Sequence, residues 1–175
     1  GMVRCAGSSF TVETADTLEA AIAGAHAVLN STRPGGFRAR RLDETLPLAL
    51  GIPGQETVGP GGFFFALRSV PEALRVADTM AAVAPDALLF NYTNPSNIVT
   101  QALVNRGGVR VLGLCDQSDE DLHDLAVAWG RPDETLTFRC NGLNHATWYS
   151  DLRFGGEPLS SLPPTLDAPP GLDQE

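Results

Sequence analysis

The fold class of this chain is clearest in residues 87–116, which read ALLFNYTNPSNIVTQALVNRGGVRVLGLCD. This stretch opens with an apolar run, ALLFNYT at 87–93, and continues into a helix-like segment, PSNIVTQALVNR at 95–106. It then returns to a second apolar run, VRVLGLC at 109–115. Short apolar runs bounded by turn residues are typical of buried strands, and strands that alternate with helices pair in parallel. The stretch therefore predicts a strand–helix–strand unit of an α/β protein.

The same alternation continues on both sides of this unit, which favours a mostly parallel sheet with flanking helices. Further strands are predicted at 9–14 and 25–32, with one or two more inside 135–154, and further helices at 16–24, about 71–84 and about 118–129. Residues 34–44 are predicted to be a loop rich in Gly and Arg, and residues 45–62 to be irregular. We predict one α/β domain over residues 3–154 and a loop or disordered tail over 155–175.

Composition narrows the range of partners. The chain has 175 residues and a formal net charge of -9, so it repels phosphate backbones and anionic lipid surfaces. We therefore expect neither nucleic acid nor membrane as a partner, and no apolar run approaches a membrane span. The three cysteines, Cys5, Cys115 and Cys140, form no CxxC pair, which fits a reducing cytoplasm.

Polar residues follow the predicted strands at their carboxyl ends, where α/β proteins bind ligands. These tips read NSTRPGG at 30–36, NYTNP at 91–95, GLCD at 113–116 and GLNH at 142–145. For Asn91 and Asn94 the alternative is that they cap a helix beginning near Pro95.

Cys115 and His145 are candidate ligands of a divalent metal. Two ligands at two strand tips would leave coordination positions open for substrate oxygens, as a Lewis-acid site requires. The alternatives are that Cys115 packs as a small apolar residue and that His145 is structural. Asp116, beside Cys115, is a ligand, a proton donor or a solvated loop residue.

A single carboxylate, Glu56, lies in the glycine-rich segment GQETVGPGGF at 54–63. Four arginines precede it within nine positions, at 33, 38, 40 and 41. Arginine pairs well with oxyanions, so the cluster indicates contact with an anion or a sugar phosphate. The alternative is a solvated loop whose arginines neutralise Asp43 and Glu44.

Taken in order, TRPGG, ARRLDE, GQETVGPGGFF, NYTNP, GLCD and GLNH resemble glycoside hydrolase family 4, over about residues 10–150. The resemblance implies an incomplete Rossmann-like domain of the lactate/malate dehydrogenase type. Against the family pattern, this chain lacks the first βα unit, with its NAD loop, and the C-terminal helical domain. A domain of this kind without its first strand exposes an apolar sheet edge, so we also expect a homo-oligomer.

The resemblance implies hydrolysis of a phosphorylated sugar glycoside with NAD and Mn²⁺ as cofactors, by oxidation at C3, elimination, addition of water and reduction. Cys115 and His145 match the metal ligands, and Asp116 matches the catalytic acid or its neighbour. Substrate contacts match Arg40, Glu56 and Asn94, and Asn144 and Asn91 are assigned to the same pocket, Asn91 towards the cofactor.

The sequence contains no GxGxxG unit, and neither of its tyrosines, Tyr92 and Tyr149, falls where the family places its base. We therefore expect weak or no NAD binding and an inactive isolated chain. Two alternatives remain: a non-catalytic binding or assembly domain that keeps the fold, and a sugar dehydrogenase of similar fold. The Cys115–His145 pair and GLNH argue against the second.

Overall fold

The computed structural model describes residues 10–131 and 134–159. These residues fall into two compact units, which meet along the chain between Gly113 and Leu114. Unit 1 is the part up to Gly113, and unit 2 is the part from Leu114 onwards. The domain predicted over residues 3–154 therefore draws on both units.

A parallel sheet forms the centre of unit 1, as predicted. Its strands are β1 (Ala27–Asn30), β2 (Leu88–Asn91) and β3 (Arg110–Gly113), in the order β1-β2-β3. They pair in register, so that the last residues, Asn30, Asn91 and Gly113, lie side by side. The carboxyl ends of the three strands thus lie at the same end of the sheet, and the polar segments that follow the strands begin there.

Four helices accompany this sheet. They are α1 (Leu18–Ile22), α2 (Gly36–Leu48), α3 (Gly59–Val83) and α4 (Ser96–Arg106). Residues of α1, α3 and α4 form one apolar core with Leu89 of β2. The strand–helix–strand unit at 87–116 is confirmed, with each strand a few residues shorter than its apolar run. None of the helices in the described ranges is long and apolar enough to cross a membrane.

Helix α2 replaces the loop predicted at 34–44 and part of the irregular segment 45–62. Gly35, with φ 86°, turns the chain into the helix, and no side chain caps it. Polar contacts stabilise this helix: Arg40 pairs with Glu44 one turn later, and Asp43 pairs with Arg68 of α3. Because its periodic residues are mostly charged, the apolar pattern gave no sign of it.

Helix α3 begins twelve residues before the predicted start at Pro71. Pro60 occupies its first turn, where a missing N–H costs little, and Pro71 lies inside the helix. Buried residues on both sides, including Phe65, Ser69 and Ala73, hold the helix continuous. Tertiary packing therefore outweighs the local cost of the internal proline.

The strand predicted at 9–14 is wrong for the residues described. Residues 10–15 have no regular structure, and Phe10 and Val12 are about two-thirds exposed. Their alternation with polar residues resembles a half-buried strand, but a strand also needs a neighbour to pair with, and the described sheets include no strand from this segment.

Unit 2 contains one helix and an antiparallel sheet. Its elements are α5 (Gln117–Ala128), β4 (Leu136–Leu143), β5 (Ala146–Phe154) and β6 (Glu157–Pro158). Leu122, Ala126, Leu136 and Phe154 form its core. Two strands thus occupy 135–154 as predicted, whereas Glu157–Pro158 pair with β5 although a loop was expected from 155 onwards. Residues 160–175 lie outside the described part of the chain.

Candidate functional site

The asparagines that end β1 and β2 belong to a closed hydrogen-bond network. Asn30 Nδ2 donates to Asn91 Oδ1 at 3.0 Å. Asn91 Nδ2 donates in turn to the carbonyl oxygen of Thr93 at 3.1 Å and to Thr100 Oγ1 at 3.3 Å. Both asparagines are buried. Because buried polar groups are costly unless paired, this network fixes the carboxyl ends of the two strands.

Asn91 therefore has a structural role that the sequence did not indicate. Its side chain is 0% exposed, and its amide is committed to protein partners. It does not cap α4, because the cap position is Pro95 and no side chain caps that helix. Its predicted contact with the cofactor stays a prediction.

In the glycine-rich loop around Glu56, two glycines allow close contacts between backbone segments. A Cβ added to Gly54 would lie 1.7 Å from the carbonyl oxygen of Glu44, and one added to Gly61 would lie 2.2 Å from that of Gln55. The side chain of Gln55 accepts hydrogen bonds from the N–H groups of Thr57 and Val58, immediately before α3. The glycines thus let the loop pack tightly against α2, with Glu56 held between α2 and the strand ends.

The carboxylate of Glu56 is the centre of a polar cluster in unit 1. Arg33 Nη1 donates to its Oε2, and Arg40 Nε lies 3.4 Å from the same oxygen. Asn94 Nδ2 donates to Oε1 at 3.5 Å. Three of the residues predicted to contact substrate, Arg40, Glu56 and Asn94, are therefore brought together, and their side chains are partly accessible.

Opposing effects set the pKa of Glu56. Burial raises it, but the hydrogen bond from Arg33, the positive charges of Arg33 and Arg40 and the contact with Asn94 lower it by more. The net result is a pKa below the ordinary range for glutamic acid. Glu56 is therefore a carboxylate near neutral pH and acts as an acceptor of hydrogen bonds.

The arginines near Glu56 divide between the two interpretations that the sequence left open. Arg40 Nε donates to Glu44 Oε1 at 2.8 Å, and this hydrogen bond is the main cause that raises the pKa of Arg40. Glu44 is thus neutralised by the cluster, as the second interpretation required. Asp43 is neutralised by Arg68 of α3 and by none of the four clustered arginines.

Arg33 is the member of this cluster that the residue-by-residue resemblance did not assign. It lies within the polar tip that follows β1, as Asn94 lies within the tip that follows β2, and the TRPGG motif contains it. Position after a strand end, in addition to membership of an arginine-rich segment, was the signal that could have identified it.

In unit 2, Cys115 and His145 lie beside each other, 3.6 Å apart from Sγ to Nε2. Metal bonds of about 2.3 Å to thiolate and about 2.1 Å to imidazole, at angles of about 90–110°, separate the two ligand atoms by about 3.1–3.6 Å. The pair therefore fits one metal ion. No third His, Cys, Asp or Glu joins it within the described ranges.

The two-residue turn that contains His145 also contains a buried side-chain oxygen, that of Asn144. This turn joins β4 to β5, and His145 has a φ of 59°, in a region that favours glycine. Adjacent to it, Asn144 Oδ1 is buried and accepts no hydrogen bond within the described residues, and neither does Gln117 Oε1, two positions after Cys115. Buried oxygens without donors suit a site that receives an ion or a hydroxyl.

Asp116 begins α5 at its N-cap position, where its side chain makes no capping hydrogen bond and is exposed. The carboxylate is thus free of the usual capping role and accessible to a ligand. Its role as an acid, like the roles of Asn144, Cys115 and His145, stays a prediction.

A parallel sheet with polar groups at its carboxyl ends, followed by a Cys–His pair, defines a Rossmann-like α/β protein with a candidate metal centre. The chain belongs to the family described as family 4 glycosyl hydrolase, whose sequence model matches residues 1–125.

Named relatives and a solved structure agree with this assignment. The chain is 39% identical over 128 residues to 6-phospho-alpha-glucosidase 1 of Lacticaseibacillus paracasei, covering 72% of this chain and 29% of that protein. It is 34% identical over 152 residues to the 6-phospho-beta-glucosidase BglT of Thermotoga maritima, covering 86% and 36%. The structure of the 6-phospho-beta glucosidase from Thermotoga maritima with manganese, NAD+ and glucose-6-phosphate superposes with a TM-score of 0.78 at 33% identity, covering 90% of this chain and 38% of that one. The chain thus spans about a third of the length of these relatives.

Proposed function

We propose that this chain supplies metal and substrate residues to a glycosidase that hydrolyses a 6-phosphoglucoside. The observation that carries the proposal is the separation of Cys115 Sγ and His145 Nε2, 3.6 Å, which suits joint coordination of one divalent ion. The relatives support the choice of substrate, because both are named as 6-phosphoglucosidases. The related Thermotoga structure contains manganese and glucose-6-phosphate.

Within this proposal, Cys115 and His145 hold the divalent metal, with Mn²⁺ as the expected ion. A metal bound there would act as a Lewis acid towards sugar oxygens. Asp116 would serve as the acid, the role that the resemblance to the family implies, and its exposed carboxylate is accessible to a ligand. Asn144 Oδ1, which is buried without a donor, would accept from a sugar hydroxyl.

In unit 1, Arg40 and Asn94 would bind the phosphorylated sugar. Arg40 carries a planar guanidinium that suits an oxyanion, and its side chain is 37% exposed although it pairs with Glu44. Glu56, at 12% exposure and already bound by Arg33, has less of its surface available to a ligand.

The GxGxxG unit that binds the pyrophosphate of NAD does not occur in the sequence, and so in none of the described turns between a strand and a helix. We propose that the isolated chain binds NAD weakly or not at all. It would then fail to release nitrophenol from p-nitrophenyl 6-phospho-α- or β-glucoside, even with NAD, Mn²⁺ and reductant supplied. Release that Cys115→Ser abolishes would show that the 175-residue chain is itself a complete catalyst.

Loss of the free Mn²⁺ signal in electron paramagnetic resonance tests the metal role. We expect the 175-residue chain to bind Mn²⁺ weakly but saturably, so that the signal of the free ion falls as chain is added. Cys115→Ser or His145→Ala should reduce the amount of Mn²⁺ bound. His26→Ala is the control, since His26 lies in unit 1 before β1. Equal binding by the parent and both ligand variants would remove the metal centre from the proposal.

Calorimetric titration with glucose 6-phosphate tests the sugar role. Asn94→Ala and Arg40→Ala should each weaken binding by about tenfold, the equivalent of roughly 1.4 kcal/mol. Arg38→Ala removes the same charge from an exposed position of α2 and should leave affinity unchanged. An Arg38→Ala variant that loses as much affinity as Arg40→Ala would indicate general charge attraction and contradict a specific contact of Arg40, and an Asn94→Ala variant with the parent affinity would contradict the contact of Asn94.

We also propose self-association of the chain. Leu29 and Leu112 align with Phe90 across one face of the parallel sheet and are 66% and 50% exposed. Parallel sheets are normally covered on both faces, so this apolar face favours contact with another copy. Light scattering should report a dimer or larger species, and a monomer at high concentration would contradict it.

A further inference from the structure

Arg33 is held between two aromatic rings and one carboxylate. Its Cζ lies 5.4 Å from the ring centroid of Phe37 and 5.4 Å from that of Phe65, and its Nη1 donates to Glu56 Oε2. Phe65 is 2% exposed and the Glu56 side chain 12% exposed. A planar guanidinium stacked on aromatic faces presents its N–H groups in fixed directions. Arg33 therefore restricts where the Glu56 carboxylate can lie.

Glu56 transmits this restriction to Asn94. The oxygen that Arg33 does not bind, Oε1, accepts from Asn94 Nδ2 at 3.5 Å. An ionised carboxylate can only accept, so the amide must turn its NH₂ group towards Glu56 and leave its own oxygen for another donor. A protonated Glu56 could donate instead and would permit the reversed amide.

The backbone of Asn94 is fixed by a separate contact. The single hydroxyl proton of Ser69, on α3, is shared between the carbonyl oxygen of Asn94, 2.9 Å from Oγ, and that of Phe65, at 2.7 Å, and Ser69 is fully buried. The rotation of the side-chain amide is therefore the freedom that remains to Asn94, and Glu56 controls it.

Other charged groups around Glu56 do not replace Arg33. Arg40 of α2 lies 3.4 Å from Glu56 Oε2 but gives its hydrogen bond to Glu44 at 2.8 Å, which offsets its charge. Arg68 of α3 contacts Phe65 with its Cζ 5.5 Å from the ring centroid, yet it is paired with Asp43. Of these three arginines, Arg33 is the one that donates its hydrogen bond to Glu56 itself.

We propose that Arg33 is a positioning residue, which holds the Glu56 carboxylate so that the Asn94 amide presents its oxygen to a hydroxyl of the ligand. The ligand part of this statement rests on the proposed function, in which Asn94 contacts the sugar. The positioning part concerns the unliganded chain and is tested without ligand.

The test follows the side-chain NH₂ resonances of Asn94 by NMR as pH is lowered through the titration of Glu56. In the parent chain they should shift with a midpoint below the ordinary range for glutamic acid, and Glu56→Gln should abolish this shift. Arg33→Met should move the midpoint to higher pH, since burial then acts on Glu56 with less compensation. Arg33→Lys, which keeps the charge without the planar fork, should fall between the two.

Arg38→Met is the matched control. Arg38 is exposed on α2, the helix that follows Arg33, and makes no ion pair within the described residues, so the midpoint should equal that of the parent chain. The proposal is overturned if folded Arg33→Met keeps the midpoint and the Asn94 resonances of the parent chain. If Arg33→Met does not fold, the same result in folded Arg33→Lys overturns it. The NMR titration uses no sugar, so it tests the positioning role of Arg33 alone. Failure of the chain to bind glucose 6-phosphate would count against the proposed function and would not change the outcome of the NMR titration.

Discussion

Asp43 of α2 accepts hydrogen bonds from both terminal nitrogens of Arg68 of α3, one on each carboxylate oxygen. Arg68 also donates from Nε to the carbonyl oxygen of Pro34 at 3.3 Å, so one side chain joins the loop after β1 to both helices. The Asp43 side chain is 5% exposed. This ion pair therefore anchors the segment that carries the Glu56 cluster.

Removing Arg68 should destabilise unit 1, because it leaves a buried carboxylate without its partner. We expect Arg68→Met to lower the free energy of unfolding by about 3 kcal/mol. Urea denaturation followed by circular dichroism measures it. Arg75→Met is the control on the same helix: its partner Glu72 lies one turn away on the surface, and exposed pairs of this kind contribute little to stability. Equal losses would contradict the anchoring role of Asp43–Arg68.

Asn91 should matter to stability whether or not a ligand is present. Asn91→Ala removes the acceptor of Asn30 Nδ2 and leaves that buried group unpaired, which costs about 1–3 kcal/mol. Asn105→Ala, at an exposed position of α4, should change the free energy of unfolding by less than about 0.5 kcal/mol. An Asn91→Ala variant as stable as the parent would argue that the network is not structural.

Glu56 should make stability depend on pH. Its folded-state pKa lies below the unfolded-state value of about 4.3, so its contribution is present above that value and is lost as pH falls through the folded-state pKa. The free energy of unfolding should therefore fall less steeply below about pH 5 in Glu56→Gln than in the parent chain. Glu13→Gln, at an exposed site, controls for net charge. Parallel curves for the parent and Glu56→Gln would contradict the lowered pKa.

Gly54 should tolerate no side chain, because an added Cβ would lie 1.7 Å from the carbonyl oxygen of Glu44. Gly54→Ala must move the loop away from α2, and we expect a loss of about 1–3 kcal/mol or more in the free energy of unfolding. At Gly107 an added Cβ meets nothing within 4 Å, so alanine there carries only the cost of a φ of 69°, about 1–2 kcal/mol. A Gly54→Ala variant no less stable than Gly107→Ala would mean that the loop is not closely packed.

Apolar patterning made the central unit predictable. The runs at 87–93 and 109–115 are short and bounded by turns, and α4 between them begins and ends where Pro95 and Gly107 indicate. Helix α2 was missed because ion pairs, and not a repeated apolar face, stabilise it. The early start of α3 was missed because local rules give weight to Gly and Pro, whereas burial of Phe65 and Ser69 is a property of the whole fold.

The Cys115–His145 pair could be predicted from the sequence, whereas the contacts within the Glu56 cluster could be predicted only in part. Cys115 and His145 were paired from their positions at strand tips, and they do lie side by side. The grouping of Arg40, Glu56 and Asn94 followed from the resemblance. The contact of Glu56 with Arg33 did not, because it depends on the position of Phe65, whose ring lies beneath both Arg33 and Arg68. Sequence order cannot show which of four nearby arginines reaches the carboxylate.

Cobalt(II) absorption tests most directly the central claim that Cys115 and His145 form a metal centre. A cobalt-bound thiolate gives a charge-transfer band that oxygen and nitrogen ligands do not. We expect this band when Co²⁺ is added to the reduced chain. It should be lost in Cys115→Ser, weakened in His145→Ala and retained in Cys140→Ser, which changes the exposed cysteine of β4. A band that survives Cys115→Ser, or one that disappears in Cys140→Ser, would show that Cys115 is not the thiolate ligand.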